Sequence, residues 1–375
     1  MNRRLIILPN TKKIAVIFGG KSVEHEISII SAKSILNNLD KKKFNPIPIL
    51  IDKKGVWRKA TFNNSELLVN KKSYLTPLIT ANKPALIEIG PKLKVKRINI
   101  DCVFPILHGT YGEDGAIQGL FEIMNIPYVG ANVHGSAIGM DKISMKSVLK
   151  DYGIPVLDFV GFDKSAWLKD SNKILTQIKN TIGFPNFVKS ANLGSSIGIT
   201  KVDKNSNLKA AIEYSLRFSD RILVEKAVLK PKEIEVSVLG NHNPRASVPG
   251  EIVPNRDFYD YEAKYSDDTT ELIAPANLNK KITKKLQDLA VDVFKALDCS
   301  GMGRIDFLVE RENQKIYVSE INTIPGFTQI SMYPKLWELS CIKYKKLITT
   351  LIELAVEKYE EKNKLNTDYE MKLKV

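Results

Sequence analysis

Apolar positions along the chain fall into two alternating kinds of segment. Lys13-Ile14-Ala15-Val16-Ile17-Phe18 is a continuous apolar run that stops at Gly19-Gly20, the pattern of a strand buried on both faces followed by a tight turn. Ile27, Ile30, Ser31, Ser34 and Ile35 then recur at helical spacing. Asp101–Leu107 repeats the buried-strand pattern and runs into the glycine-rich loop His108–Gly115. Ile117, Leu120, Phe121 and Met124 continue as a helix. Strand and helix in alternation predict a parallel sheet covered on both faces. Residues 55–100 read as an insertion of strands and loops.

Beyond Gly139-Met140-Asp141-Lys142 another helix is expected, ended by the breaker Gly153-Ile154-Pro155. Strands follow at Phe187-Val188-Lys189 and Arg221–Lys226, with the small-residue loop Gly194–Gly198 between them. A third region begins near Pro231, where Ile234–Leu239 alternates like a strand. Pro249–Pro275 is rich in Asp, Tyr, Glu and Pro and has no clear period, so a functional loop or lid is expected there. Tyr344–Leu365 reads as a charged amphipathic helix packed on the body.

Composition narrows the class. With 375 residues, 43% hydrophobic and 26% charged, the chain suits two or three soluble domains. Its apolar runs fall far short of the ~18 residues a membrane helix needs, and Met1–Asn10 is too short for a secretory signal. Cys102, Cys299 and Cys341 are sparse and form no Cys-x-x-Cys pair, which fits a reducing compartment. A cytoplasmic protein without a membrane partner is expected. The formal charge of +14 brings nucleic acid into view. The lysines are dispersed, however, as in Lys41-Lys42-Lys43 and Lys280-Lys281, with no basic block interleaved with aromatics. No nucleic-acid partner is expected, and an anion such as ATP needs only a few of these charges.

The densest chemistry lies in Gly303–Glu310 and Lys315–Asn322, two alternating arms joined by a polar link of hairpin length. Ile305, Phe307 and Val309 share one face of the first arm, with Arg304 and Asp306 on the other. Val318, Glu320 and Asn322 are expected to share a face of the second. With a five-residue loop, Arg311–Lys315, Asp306 lies opposite Glu320 and Arg304 opposite Asn322; a slip of one residue breaks the match. Two carboxylates and an amide oxygen on one face suit magnesium. The same spacing also fits a cross-strand charge pair on a solvated sheet. Lys142 and Lys189 sit at element boundaries from which an ammonium can reach a phosphate. The Gly194–Gly198 loop can fold its amides over phosphates. Glu225-Lys226-Ala227-Val228 ends a strand whose backbone can hold an adenine, with Glu233 placed for ribose hydroxyls.

Together these segments resemble the D-alanine–D-alanine ligases of the ATP-grasp superfamily over nearly the whole chain. The resemblance rests on Phe18–Ser28, His108–Gly115, Met140-Asp141-Lys142, Asn192–Ser196, Phe258–Tyr265, Gly303–Asp306 and Glu320–Thr328. It implies an α/β ATP-grasp fold: an N-terminal doubly wound parallel-sheet domain over 1–135, a small central α+β domain over 136–229, and a larger C-terminal α+β domain over 230–375 with a mobile loop at 249–275. It also implies roles. Glu24 would hold the ammonium of the first D-alanine in a hydrogen-bonded set with Ser195 and Tyr265, and His108 would lie near that substrate. Lys142, Lys189 and Lys264 would contact ATP phosphates, and Ser195, Glu225, Lys226, Val228 and Glu233 would complete the nucleotide site. Arg304 and the Gly326 amide would stabilise the acyl phosphate and the tetrahedral intermediate. Asp306 and Glu320 would bind one Mg²⁺, and Glu320 and Asn322 a second, with Mn²⁺ as a possible substitute. Ser331 and Met332 would meet the second D-alanine. A homodimer is a further expectation from the resemblance.

Two positions depart from the pattern. Ser190 stands where the family usually has proline, and Met332 where some members have leucine, a swap that conserves volume. Three alternatives remain open: a D-lactate or D-serine acceptor, another ATP-grasp carboxylate–amine ligase, and a non-enzymatic binding module. Glu24 and Tyr265 speak against the second, and the Asp306, Glu320, Asn322 set against the third.

Overall fold

Strand β1 (Lys12–Gly19) shows why a continuous apolar run is needed at the start of the chain. In a computed structural model describing residues 11–63, 66–80, 83–194, 198–253, 271–328 and 330–366, its side chains divide by period two between two cores. Ile14, Val16 and Phe18 pack with Ala32, Ile35 and Leu36 of helix α1 (His25–Asn38). Ala15 and Ile17 face the other way. β1 pairs in parallel with β2 (Phe44–Ile51) on one side and with the later strand Cys102–Ile106 on the other.

Residues 55–100 are an extension of this sheet. Strands β3 (Trp57–Asn63), β4 (Glu66–Val69), β5 (Tyr74–Leu78), β6 (Ala85–Ile89) and β7 (Val95–Asn99) continue outward from β2, all antiparallel. With β8 (Cys102–Ile106) the order is β7-β6-β5-β3-β2-β1-β8, and β4 pairs with β3. The expected parallel sheet is therefore parallel only at its centre. Connections of a few residues can reverse a strand but cannot cross over to a parallel neighbour. Helix α2 (Ala116–Ile123) puts Ile117 and Phe121 on the Ala15–Ile17 face.

Helices α3 (Val133–Met140) and α4 (Lys142–Asp151) follow; the Asp141 carboxylate caps α4 by accepting from the Ser144 amide at 2.8 Å. The second sheet comprises β9 (Phe159–Asp163), β10 (Asn186–Ser190), β11 (Thr200–Val202) and β12 (Arg221–Lys226), antiparallel in the order β11-β10-β12-β9. Helix α5 (Lys164–Lys169) leads into α6 (Ser171–Thr181). One face of the sheet is covered by α6 and α7 (Asn205–Ser215), through Ile174, Ile178, Leu208 and Ile212. Phe187 and Lys189 point from the other face.

The third sheet is built from β13 (Lys232–Gly240), β14 (Arg245–Ala246), β15 (Gly250–Val253), β16 (Glu271–Ile273), β17 (Gly301–Val309) and β18 (Ile316–Asn322). Its order is β16-β15-β13-β17-β18, with β14 on β13. Helix α8 (Lys280–Ala296) covers one face with Ile282, Leu286, Ala290, Val293 and Phe294. Helix α9 (Met332–Leu339) lies against β13. Helix α10 (Tyr344–Lys362) buries Leu347, Ile348, Leu351 and Ile352 in the same core as Ile14 and Phe18, so the end of the chain ties the third sheet to the first.

The two ends of the Pro249–Pro275 segment are not structureless. They are paired strands, with Glu251 opposite Ile273 and Val253 opposite Glu271; residues 254–270 between them lie outside the described residues. Ile252 and Leu272, at the mouth of the segment, supply the apolar surface that makes this pairing favourable. Among the described residues, no helix is long and apolar enough to cross a membrane.

Candidate active site

The hairpin β17–β18 brings Asp306 opposite Glu320 and Arg304 opposite Asn322, as its alternation predicts, but by a different route. Val309 pairs with Ile316, and the Glu310 amide donates to the Lys315 carbonyl at 2.9 Å, so the loop is Arg311–Gln314, one residue shorter than expected. A bulge at Ser319, between the Asp306–Glu320 and Phe307–Val318 pairs, restores the register. It also turns Val318 away from the Glu320 face. Val318 is fully buried with Phe307, which corrects its expected position beside Glu320 and Asn322.

On the open face of this sheet the Arg304 guanidinium forks onto Asp306, with Nε to Oδ1 at 2.8 Å and Nη2 to Oδ2 at 2.7 Å. Its Nε also lies 3.2 Å from Oε2 of Glu235, on β13 opposite Asp306. Burial by itself would lower the Arg304 pKa, but Asp306 and then Glu235 hold it well above its ordinary value. The Asn322 amide donates to Asp306 Oδ2 at 3.0 Å, and Lys142 Nζ approaches Glu320 Oε2 at 3.3 Å. Among the described residues no three His, Cys, Asp or Glu cluster as metal ligands. The set here is two carboxylates and one amide, which fits an ion such as magnesium that keeps most of its shell as water and phosphate.

Two cavities meet at this hairpin. The smaller, of about 610 Å³, is lined by Glu24, His108, Glu113, Arg304, Asn322, Gly326, Ser331 and Met332, among others. The larger, of about 1240 Å³, is lined by Lys189, Glu225, Lys226, Val228, Glu233 and Asp306, among others. Lys142, Glu235 and Glu320 line both. The expected substrate and nucleotide residues are thus sorted into two adjoining spaces, divided where the expected metal ligands stand. Ser195, Lys264 and Tyr265 lie outside the described residues.

In the smaller cavity His108 is buried, with Nδ1 3.0 Å from the Ile324 carbonyl and Nε2 3.2 Å from Ser31 Oγ. A carbonyl only accepts, which assigns the proton to Nδ1 and leaves Nε2 to accept from Ser31. Burial lowers the His108 pKa and keeps the ring neutral. Gly109 has φ of +73°, and a Cβ there would stand 2.6 Å from Glu24 Oε2, so only glycine lets this loop approach the Glu24 carboxylate. In the larger cavity the Lys226 and Ala227 amides are already taken by the Asp158 and Pro185 carbonyls, both at 3.1 Å. The Glu225 side chain points beneath the cavity floor, onto Lys189 and Lys146.

The families described as D-ala D-ala ligase N-terminus and C-terminus match residues 13–131 and 148–353. A D-alanine–D-alanine ligase of Natranaerobius thermophilus is 43% identical over 361 residues, which is 95% of this chain and 98% of the relative. The chain belongs to the D-alanine–D-alanine ligase family. A further family member, from Caldicellulosiruptor bescii, is 45% identical over 94% of this chain and 97% of its own. The solved D-alanine–D-alanine ligase of Coxiella burnetii aligns with a TM-score of 0.80 at 38% identity, covering 95% of this chain and 97% of that one. VanG D-Ala:D-Ser ligase of Enterococcus faecalis gives the same TM-score at 33% identity, covering 92% and 100%. The fold is the ATP-grasp fold of these ligases, and enzymes of the family use ATP and divalent metal ions.

Three charged residues escape a reading of the sequence for motifs: Glu113 and Glu235, which line this ligase's cavities, and Lys146, which is buried behind them. Glu113 lies within the glycine-rich loop His108–Gly115. Its carboxylate accepts from the Gly109 and Ile324 amides, each at 2.9 Å, and so staples the glycine-rich loop to the segment after β18. Burial first, and the nearby Glu24 charge second, push its pKa up to about 7. A carboxyl raised in the folded state contributes stability that is complete below its ordinary pKa and is lost as pH rises through the folded value. The ligand-free ligase should therefore lose about 2 kcal/mol between pH 5 and 8 through this group. Glu113→Gln should flatten that slope in urea unfolding series at each pH. Parallel slopes for the two proteins would show that Glu113 is ionised throughout.

Proposed function

We propose that this ligase makes D-alanyl-D-alanine for peptidoglycan precursors through a D-alanyl phosphate, with ATP in the larger cavity and the two amino acids in the smaller. The observation that carries the reading is the shared wall. A phosphoryl group crossing from nucleotide to carboxylate must pass Lys142 and Glu320, and Arg304 stands beside that path.

A carboxylate is a poor acyl donor, so its oxygen attacks the γ-phosphorus of ATP and ADP leaves. Lys142, Lys189 and Lys264 hold the phosphates, while the backbone over 225–228 and Glu233 seat adenine and ribose. Magnesium, when bound by Asp306 and Glu320 and a second ion by Glu320 and Asn322, supplies positive charge for the transferring phosphoryl group. Arg304 spreads the charge of the same group and later that of the tetrahedral intermediate, together with the Gly326 amide. A Cβ at Gly326 would stand 2.9 Å from Ser331 Oγ, so glycine keeps this approach open. Glu24, with Ser195 and Tyr265, holds the ammonium of the first D-alanine. Ser331 and Met332 meet the second, whose amine attacks the acyl carbon as phosphate departs. His108, neutral and fixed by Ile324 and Ser31, orients the first substrate without adding charge. Three sheets within 12–106, 159–226 and 232–322 support a division into domains at 1–135, 136–229 and 230–375.

Acceptor choice is not a property of the fold, because a D-Ala:D-Ser ligase matches it as well. Purified ligase supplied with ATP, Mg²⁺ and D-alanine should release one ADP and one phosphate for each dipeptide formed. D-serine and D-lactate offered in competition should yield minor products. Predominant mixed dipeptide or depsipeptide would overturn the acceptor, and ADP release independent of any amino acid would overturn the ligase mechanism.

A further inference from the structure

Beneath the floor of the larger cavity lies a buried three-residue relay. Glu225, 1% exposed, stands between two lysines: Lys189 Nζ is 2.6 Å from its Oε1, and Lys146 Nζ is 2.9 Å from its Oε2. Lys146 is also 1% exposed, one turn along α4 from Lys142, and lines neither cavity. Its ammonium further donates to the Val318 carbonyl at 3.3 Å, beside the bulge at Ser319 that sets the Glu320 register.

A buried cation needs a reason, because desolvating an ammonium costs several kcal/mol unless its partners compensate. Lys189 alone would neutralise Glu225 and would then be held by it. Two lysines on one carboxylate leave a net positive charge, and only Lys189 opens onto the cavity. Burial alone would raise the Glu225 pKa, but the two ammonium groups hold it well below the usual range, so the carboxylate stays charged.

We propose that Lys146 is a positioning residue for nucleotide binding: by occupying Oε2 of Glu225 it leaves the charge and reach of Lys189 available to an ATP phosphate. This rests on the reading of Lys189 as an ATP contact. With Lys146 neutral, Glu225 holds Lys189 more tightly and ATP binding weakens, while the D-alanine sites beyond the hairpin are untouched.

The test is steady-state kinetics and direct ATP-analogue binding with Lys146→Met, Glu225→Gln, the double variant and Lys189→Ala. Lys146→Met should raise the KM and Kd for nucleotide about ten-fold and change kcat and the D-alanine KM less than two-fold. The double variant should match Glu225→Gln alone, because Lys146 acts through that carboxylate. If Lys146→Met does not fold, Lys146→Gln keeps an N–H donor at this position and removes the charge. Unchanged nucleotide affinity in a folded Lys146 variant, with Lys189→Ala weakened, overturns the proposal. Equal losses for nucleotide and D-alanine do so too, since they mark a plain structural strut. Unchanged affinity in Lys189→Ala overturns instead the reading of Lys189, and the proposal with it.

Discussion

Glu320→Gln is expected to lower kcat for dipeptide formation about 10³-fold while leaving the protein folded. The carboxylate faces both cavities, and in the proposed mechanism it serves two ions, so neutralising it would remove charge at the point of phosphoryl transfer. Glutamine keeps the shape and can still accept from Lys142. The Glu320–Lys142 contact is 3.3 Å with Glu320 about a quarter exposed, so its loss should change stability by less than about 1 kcal/mol. Asn322→Ala, which in the proposed site would take a ligand from one ion only, should be milder, about ten-fold. Rates measured across a magnesium titration, beside thermal unfolding, check both. A Glu320→Gln enzyme of near-normal rate at ordinary magnesium would remove Glu320 from the metal set.

How much of this was legible in the sequence differs from element to element. β1 could be read outright, because the five apolar residues Ile14–Phe18 in succession, stopped by Gly19-Gly20, are too few for a buried helix and fit a strand buried on both faces. The strands over 55–100 could be seen but not their direction, since antiparallel extension depends on where short connections return the chain. The hairpin is the instructive case. The Asp306–Glu320 pairing was foreseen on an assumed five-residue loop, whereas a loop one residue shorter and a bulge at Ser319 offset each other. Pairing survived that exchange; the face assigned to Val318 did not. Motif reading named side chains expected to touch ligands and passed over those that touch other side chains. Glu113, Glu235 and Lys146 act through partners 69 or more residues away in the chain, apart from the short reach from Glu113 to Gly109. The signal that was present for Lys146 is its spacing: four residues after Lys142, on the same face of α4. For Glu235 it is a charge within the alternation of Ile234–Leu239, on the face away from the core.

Arg304→Lys should prove far from conservative. The guanidinium makes two parallel contacts to Asp306 and a third to Glu235, a fork that a single ammonium cannot reproduce. Lysine keeps the charge that balances these two carboxylates, so the fold should persist with a modest loss of stability. Catalysis should not: a point charge on a flexible stem no longer sits fixed where negative charge develops, and kcat should fall about 10²–10³-fold. Arg304→Leu separates the two functions. It leaves Glu235 and Asp306, both largely buried, without their shared cation, and should cost about 3–5 kcal/mol in urea unfolding as well as all measurable ligation. An Arg304→Lys enzyme within about five-fold of wild type would show that charge alone suffices and that the fork only holds the sheet. Loss of stability equal in Lys and Leu variants would show that the fork, and not the charge, keeps the carboxylates in place.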